Sequence, residues 1–129
     1  MAHPNEALTR EGYEAFAKGN QEVLDELIAD DIVWHVPGNN PLSGDHVGKA
    51  SVFTLFGRIV ELSGGTLRQE IHDVLANDEH AVVMVVTRAD REGKRLEDRQ
   101  VHVLHVNNGK VTEFWNHFGN QTAVDEFWS

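Results

Sequence analysis

After Gly65 the chain is almost entirely β-forming, and nothing else in the sequence limits its fold as strongly. Four runs rich in β-branched and apolar residues follow one another: Thr66–Leu75, His80–Asp90, Arg95–Val106 and Lys110–Phe118. Only short polar turns separate them, at Asn77-Asp78, Glu92-Gly93-Lys94 and Asn107-Asn108-Gly109. The last is the sharpest signal, because Asn-Gly tolerates the positive φ that a tight hairpin needs at both turn positions. Connections this short join antiparallel neighbours, so the second half reads as a meander.

The first half is helical. Asn5 can cap a helix, with Glu6 in its favourable first turn and Leu8, Gly12, Ala15 and Phe16 at helical spacing. Gly19 ends that helix and Asn20 caps a second, whose stripe is Val23, Leu24, Leu27 and Ile28. Asp30-Asp31 breaks the pattern, and Ile32–Val36 reads as a short strand stopped by Pro37-Gly38. Asn39–Gly44 is loop chemistry. A third helix is expected over Lys49–Leu62, where Val52, Phe53, Phe56, Ile59 and Val60 share a face. Thr122–Trp128 adds one terminal helical turn or two. The order α-α-β-α-β-β-β-β argues an α+β domain spanning residues 1–129. Three helices on the concave face of a curved, mainly antiparallel sheet leave a conical hollow, a natural pocket.

Charge and composition narrow the partners. Eleven Lys and Arg against twenty-one Asp and Glu give a formal net charge of −10, which repels phosphate backbones and anionic membranes. The absence of cysteine excludes disulfides, thiolate nucleophiles and zinc–thiolate sites. The longest apolar run, Ala81 to Val86, is too short for a membrane span, and the N-terminal residues lack a signal pattern, so a cytoplasmic location is expected. Eight histidines invite a metal reading, but no His-x-His or His-x3-His pair exists, and neither metal nor cofactor is expected.

Three segments carry a resemblance. Ala29 through Gly38, Pro41-Leu42-Ser43-Gly44 with Val47-Gly48-Lys49, and Asn108 through Trp115 resemble, in order and spacing, the nuclear transport factor 2-like (NTF2-like) superfamily. That group includes ketosteroid isomerases, scytalone dehydratases, limonene epoxide hydrolases and SnoaL-like cyclases, and the overall texture is most similar to the SnoaL-like members. The resemblance implies the cone-shaped α+β fold and, because that fold hosts many reactions, no single one of them.

Candidate site residues follow from strand parity and from the resemblance. In the resembling isomerases a carboxylate base stands near the end of strand one; aligned back from Ser43-Gly44 that place is His35, and aligned forward from Gly19 it is Val36. Parity groups Val33 with His35, and Ile32, Trp34 and Val36 on the other face. A neutral imidazole in an apolar hollow suits general-base work near pH 7. The competing structural reading is a strand-end histidine bonded to backbone. His102 matches the isomerases' second acid, a neutral carboxylic acid that donates to the oxyanion; here an imidazole N–H stands in its place. The plain alternative is a buried histidine satisfied by a neighbour. Tyr13 lies near the isomerases' oxyanion tyrosine, or simply places its ring in the core. Asn116 stands where SnoaL-like cyclases and epoxide hydrolases carry an acidic aspartate; an amide cannot transfer that proton and can only orient. Arg88-Ala89-Asp90 is similar to an epoxide-hydrolase pair, although its nearness to Gly93 favours a solvated charged turn.

The expected pocket wall is therefore Val33, His35, Phe53, Phe56, His102, Phe114, Asn116 and Phe118. Trp34, His105, Trp115 and His117 are assigned to the outer sheet face, which in this superfamily pairs two subunits, so a homodimer is expected. Two functions compete. One is a cofactor-free isomerase, dehydratase or cyclase moving protons on a small hydrophobic carbonyl or polycyclic molecule, with His35 as base, His102 as donor, and Tyr13 and Asn116 orienting. The other is a non-catalytic module that binds a small ligand or a protein.

Overall fold

A computed structural model describes residues 3–129. Helix α1 spans Pro4–Lys18. His3, not Asn5, is its N-cap: the His3 ring nitrogen Nδ1 accepts from the Asn5 N–H at 3.0 Å, and Pro4 occupies the first turn, where its missing N–H costs nothing. Asn5 instead donates to the carbonyls of Asn77 and Asp78, tying the start of α1 to a distant turn. Gly19 closes α1 with φ +68, and Asn20 caps α2, Gln21–Leu27, as expected.

Strand β1 is Ile28–Val36, so Ile28 belongs to the strand and the Asp30-Asp31 pair interrupts no element. Two exposed aspartates within a strand are tolerated here because the register shifts between Ile28 and Val33, an irregularity in the pairing with β6. Strand β2, Gly44–Val47, is not legible in the sequence: its four residues lack a β-rich pattern and become a strand by pairing with β1, Val33 opposite Val47 and His35 opposite Asp45. Helix α3, Lys49–Ser63, follows, then β3 (Arg68–Ala76), β4 (His80–Arg91), β5 (Lys94–Asn107) and β6 (Lys110–His117). The expected terminal helical turns form helix α4, Gln121–Trp128, a fourth helix beside the three N-terminal ones.

The six strands form one sheet in the order β2-β1-β6-β5-β4-β3. All neighbours are antiparallel except β1 and β6, which run parallel with Trp34 opposite Phe114 and His35 opposite Trp115. The chain is α+β, and all four helices pack against the sheet. Two apolar clusters hold them. Ile32, Val52, Phe56, Val83 and Phe114 join α1–α3 to the sheet centre; Leu42, Leu55, Leu96, Val124, Phe127 and Trp128 seat α4 at one end. Among the described residues no helix is long and apolar enough to cross a membrane.

Candidate functional site

Alternation along three neighbouring strands builds one wall. β5 turns Asp98, Gln100, His102 and Leu104 inward, all buried. β6 turns Phe114 and Asn116 inward, Phe118 follows on the same side, and His102 lies directly opposite Asn116. β1 turns Ile32, Trp34 and Val36 inward. Helix α1 supplies Tyr13 and Phe16 from above, and α3 supplies Leu55, Phe56 and Ile59. Between them lies an apolar cavity of about 130 Å³, with Trp128 of α4 on its wall.

The aromatic lining is mutually packed. The Trp34 indole stacks on Phe114 with centroids 3.6 Å apart and meets Phe56 edge-on at 5.0 Å. Phe16 meets Phe56 edge-on at 5.1 Å.

One chain of polar contacts crosses this apolar wall. The Tyr13 hydroxyl is hydrogen-bonded to Nδ1 of His102. Nε2 of His102 is 2.9 Å from Oε1 of Gln100, which also accepts from the Thr87 hydroxyl at 3.0 Å. Gln100 Nε2 donates to Asp98 Oδ2 at 3.2 Å. The Asp98 carboxylate also accepts the backbone N–H groups of Gly119 at 3.1 Å and Asn120 at 2.9 Å. Among the described residues no buried side-chain polar atom lacks a partner. Burial pulls His102 down to about 3, with the neighbouring His117 adding slightly, so the imidazole is neutral at pH 7. Burial pushes the Tyr13 hydroxyl well above its ordinary value, so it too stays neutral. Asn116 donates through Nδ2 to the His35 carbonyl at 2.9 Å and lines the cavity.

Four expected placements fail here. His35 is on the outer face: its ring bridges Asp45 at 2.7 Å and Glu113 at 2.6 Å and stacks on Trp115 at 5.7 Å. Both ring nitrogens face carboxylates, the Asp45 bond chiefly raises its pKa, and burial opposes this while Glu113 adds to it. The His35 ring is therefore an ion-pairing group outside the pocket, and Val33, on the same face, leaves the wall with it. Trp34 moves the other way, from the expected outer face to the pocket. The parity grouping holds, but the face is decided by Ile32, Trp34 and Val36, whose bulk wins the interior over a histidine and a valine. Phe53 is also off the wall; it flanks Phe56 at 6.0 Å, because Val52, Leu55, Phe56 and Ile59 take the inward stripe of α3.

His102, Tyr13, Asn116, Phe56, Phe114 and Phe118 are brought together as expected. Trp34, Thr87, Gln100 and Asp98 are the site residues that sequence reasoning misses. A signal for the last two is present: Asp98, Gln100 and His102 recur at period two on the face that also carries Leu96 and Leu104, so three polar groups have to be buried and mutually bonded. Arg88 and Asp90 sit exposed near the β4–β5 turn, paired with Glu97 and Arg95.

The sequence pattern of the SnoaL-like domain matches residues 9–114. The chain belongs to the SnoaL-like family. An uncharacterized protein of Mycobacterium tuberculosis is 31% identical over 123 residues, covering 95% of this chain and 94% of its own. Bal32a, from a soil-derived mobile gene cassette, is similar in structure with a TM-score of 0.94 and 35% identity, covering 98% of this chain and 97% of its own. An NTF2-like protein from Burkholderia xenovorans shares the fold at a TM-score of 0.85 and 22% identity, covering 98% and 96%. The SnoaL-like stretch takes in Tyr13, Trp34, Gln100, His102 and Phe114, and ends just short of Asn116. The assignment therefore covers the pocket and the fold, and leaves the chemistry to the residues on its wall.

Proposed function

We propose that this SnoaL-like domain is a cofactor-free enzyme that moves protons on a small, uncharged, hydrophobic substrate, by isomerisation, dehydration or cyclisation. The observation that carries this reading is the Tyr13–His102 hydrogen bond on a largely apolar wall, backed through Gln100 by a buried carboxylate. Tyr13 meets the substrate and takes its proton while passing its own to Nδ1 of His102. The imidazolium so formed is steadied along Nε2–H to Gln100 and from Gln100 to Asp98. The reverse transfer returns the proton at a second position, so no net charge is left behind. A buried low-dielectric setting makes each of these interactions stronger than in water. Among the described residues no charged side chain lines the cavity, which favours a neutral molecule. Asn116, lacking a carboxyl, orients the substrate and transfers nothing.

The test is turnover against a panel of cyclic enones, polycyclic ketones and hydroxylated rings. Tyr13→Phe is expected to lose on the order of 10²–10⁴-fold in turnover, the usual worth of a positioned proton-transfer group. The His35→Ala variant is expected to turn over at the wild-type rate, since its ring lies outside the pocket. The wild-type rate should be flat through pH 6.5, because the pocket histidine does not titrate there. Wild-type turnover retained in Tyr13→Phe removes this reading. The second reading, a non-catalytic binder, is favoured by one observation: among the described residues, every buried polar side-chain atom already has a partner within the protein. Calorimetric binding without turnover across the panel selects it.

A further inference from the structure

We infer that Asp98 sets the direction of the whole hydrogen-bond chain, and thereby makes Tyr13 present a hydrogen-bond acceptor to the pocket, selecting a ligand that donates: an alcohol, a phenol or an enol. The inference rests on the reading of the cavity as a small-molecule pocket, and adds the polarity of what it takes.

The logic starts at the buried end. A carboxylate only accepts, and Asp98 takes three N–H donors: Gln100 Nε2 and the backbone groups of Gly119 and Asn120. Gln100 must therefore turn its NH2 toward Asp98, which turns its oxygen toward Thr87 and His102. The Thr87 hydroxyl accordingly donates to that oxygen. An amide oxygen can only accept, so His102 must carry its proton on Nε2. A neutral imidazole protonated on Nε2 has a bare lone pair on Nδ1. The Tyr13 hydroxyl must then donate to Nδ1. With its only proton committed, Tyr13 offers the cavity the lone pairs of its oxygen. No link in this chain can be reversed singly without setting two donors or two acceptors against each other in a buried place, and each such mismatch is costly.

A simple ketone meets the wrong polarity at Tyr13: both oxygens are acceptors. To donate to the ketone, the tyrosine must abandon His102 and leave its buried Nδ1 bare. A hydroxyl or an enol, in contrast, donates to Tyr13 and lies at the head of the same proton path, from substrate oxygen to Tyr13 to His102. Asp98, off the cavity wall, and Gln100, on it, act on Tyr13 through His102 and are positioning residues. Asn116 carries no such bias: its amide nitrogen gives one N–H to the His35 carbonyl, and its second N–H and its oxygen both remain.

Two measurements test this. Nitrogen-15 NMR of the histidine side chains in the ligand-free protein is expected to show His102, identified by its absence from His102→Gln, as the neutral Nε2–H form. In Asp98→Asn the acceptor-only anchor is gone, and the Nδ1–H form is expected to appear. An Nδ1–H form in the wild type, or an unchanged tautomer in a folded Asp98→Asn, overturns the proposal; neither result bears on whether the protein is an enzyme. Calorimetry then compares cyclohexanol with cyclohexanone, and phenol with anisole. The donor of each pair is expected to bind the wild type on the order of tenfold more tightly. Equal affinities within both pairs, or a preference for cyclohexanone, overturn the ligand class. If Asp98→Asn does not fold, the wild-type tautomer and the two ligand pairs still decide.

Discussion

The Tyr13 hydroxyl bonds Nδ1 of His102 while the two rings lie nearly parallel, their centroids 5.9 Å apart with 15° between planes. This pair joins helix α1 to strand β5 across 89 residues of sequence. It is a tertiary contact and a chemical one at once. The same burial that fixes its geometry keeps both members uncharged, since neither a phenolate nor an imidazolium is solvated there.

The depressed pKa of His102 also shapes acid stability. The unfolded chain protonates this histidine below about 6.5, whereas the folded protein resists until about 3. Its contribution is thus fully present above about 6.5 and is lost as pH falls from there toward the folded value. The slope from this one group is about 1.4 kcal/mol per pH unit. His102→Gln keeps an acceptor and a donor but does not titrate. Urea denaturation at about pH 7 and about pH 4.5 should show the wild type losing on the order of 3 kcal/mol more than the variant. Equal losses in the two proteins contradict a neutral buried imidazole.

The fold is legible in the sequence where local chemistry and tertiary packing agree. Helix ends at Gly19 and Asn20, the Asn108-Gly109 hairpin and the inward faces of β5 and β6 all follow from residue type and period. Strand β2 is not legible, because Gly44-Asp45-His46-Val47 is a strand only by virtue of β1 beside it. The face of β1 is hidden for a related reason. Alternation defines two sets of residues but does not say which is inside, and the parallel pairing that puts Trp34 opposite Phe114 is invisible along the chain. Asp98 and Gln100 escape notice because polar residues on a strand ordinarily mark the solvated face. Here they are buried and paired with each other.

On the outer face the pH sign is reversed. His35 bridges Asp45 and Glu113, and its pKa is raised in the folded protein, by the Asp45 bond first, with Glu113 adding and burial opposing. Its contribution is fully present below the unfolded value near about 6.5 and is lost as pH rises through the folded one. His35→Gln should therefore be less stable than wild type at about pH 6, with a gap that narrows at about pH 9. A gap of the same size at both values would show that the bridge is not an ion pair.

The convex face offers a surface for a second copy. One row crosses all six strands as Leu75, Val82, Val103, Trp115, His35 and Asp45, apolar in the middle and charged at one end. Among the described residues no helix covers it, and Leu75 and Val101 are exposed. Six strands at a spacing of about 4.8 Å give a face about 25 Å wide, enough for a standard interface of ~1,600 Å² in total. We propose that two copies pair face to face here, each presenting the same patch to the other. Sedimentation should find a dimer at tens of micromolar, and Val103→Glu should shift it to monomer without altering the circular dichroism. A wild type that sediments as monomer at that concentration rules the pairing out.

Helix α4 depends on a close approach that only glycine permits. Gly119 brings its N–H to Asp98 Oδ2 at 3.1 Å, and a Cβ built at this position lies 2.4 Å from the Arg99 carbonyl oxygen and 3.0 Å from Asp98 Oδ1. The first of these is backbone within β5 and cannot move without disturbing the ladder to β4 and β6. In Gly119→Ala the segment must retreat, and it takes with it the N–H groups that neutralise Asp98. The anchor of the polar chain and the start of α4 are therefore lost together. Overpacking of this kind costs about 1–3 kcal/mol, and leaving a buried carboxylate short of donors adds to it. The variant should unfold at lower urea, and Trp128, which α4 places on the pocket wall, should report the change by fluorescence. The diagnostic comparison is Gly64→Ala, a glycine whose Cβ meets nothing within 4 Å but whose φ is +61. That substitution strains the end of α3 without crowding any neighbour, so it should lower stability and leave ligand binding intact, whereas Gly119→Ala should lower both. Unimpaired ligand binding in Gly119→Ala would mean that Asp98 keeps its partners without this glycine.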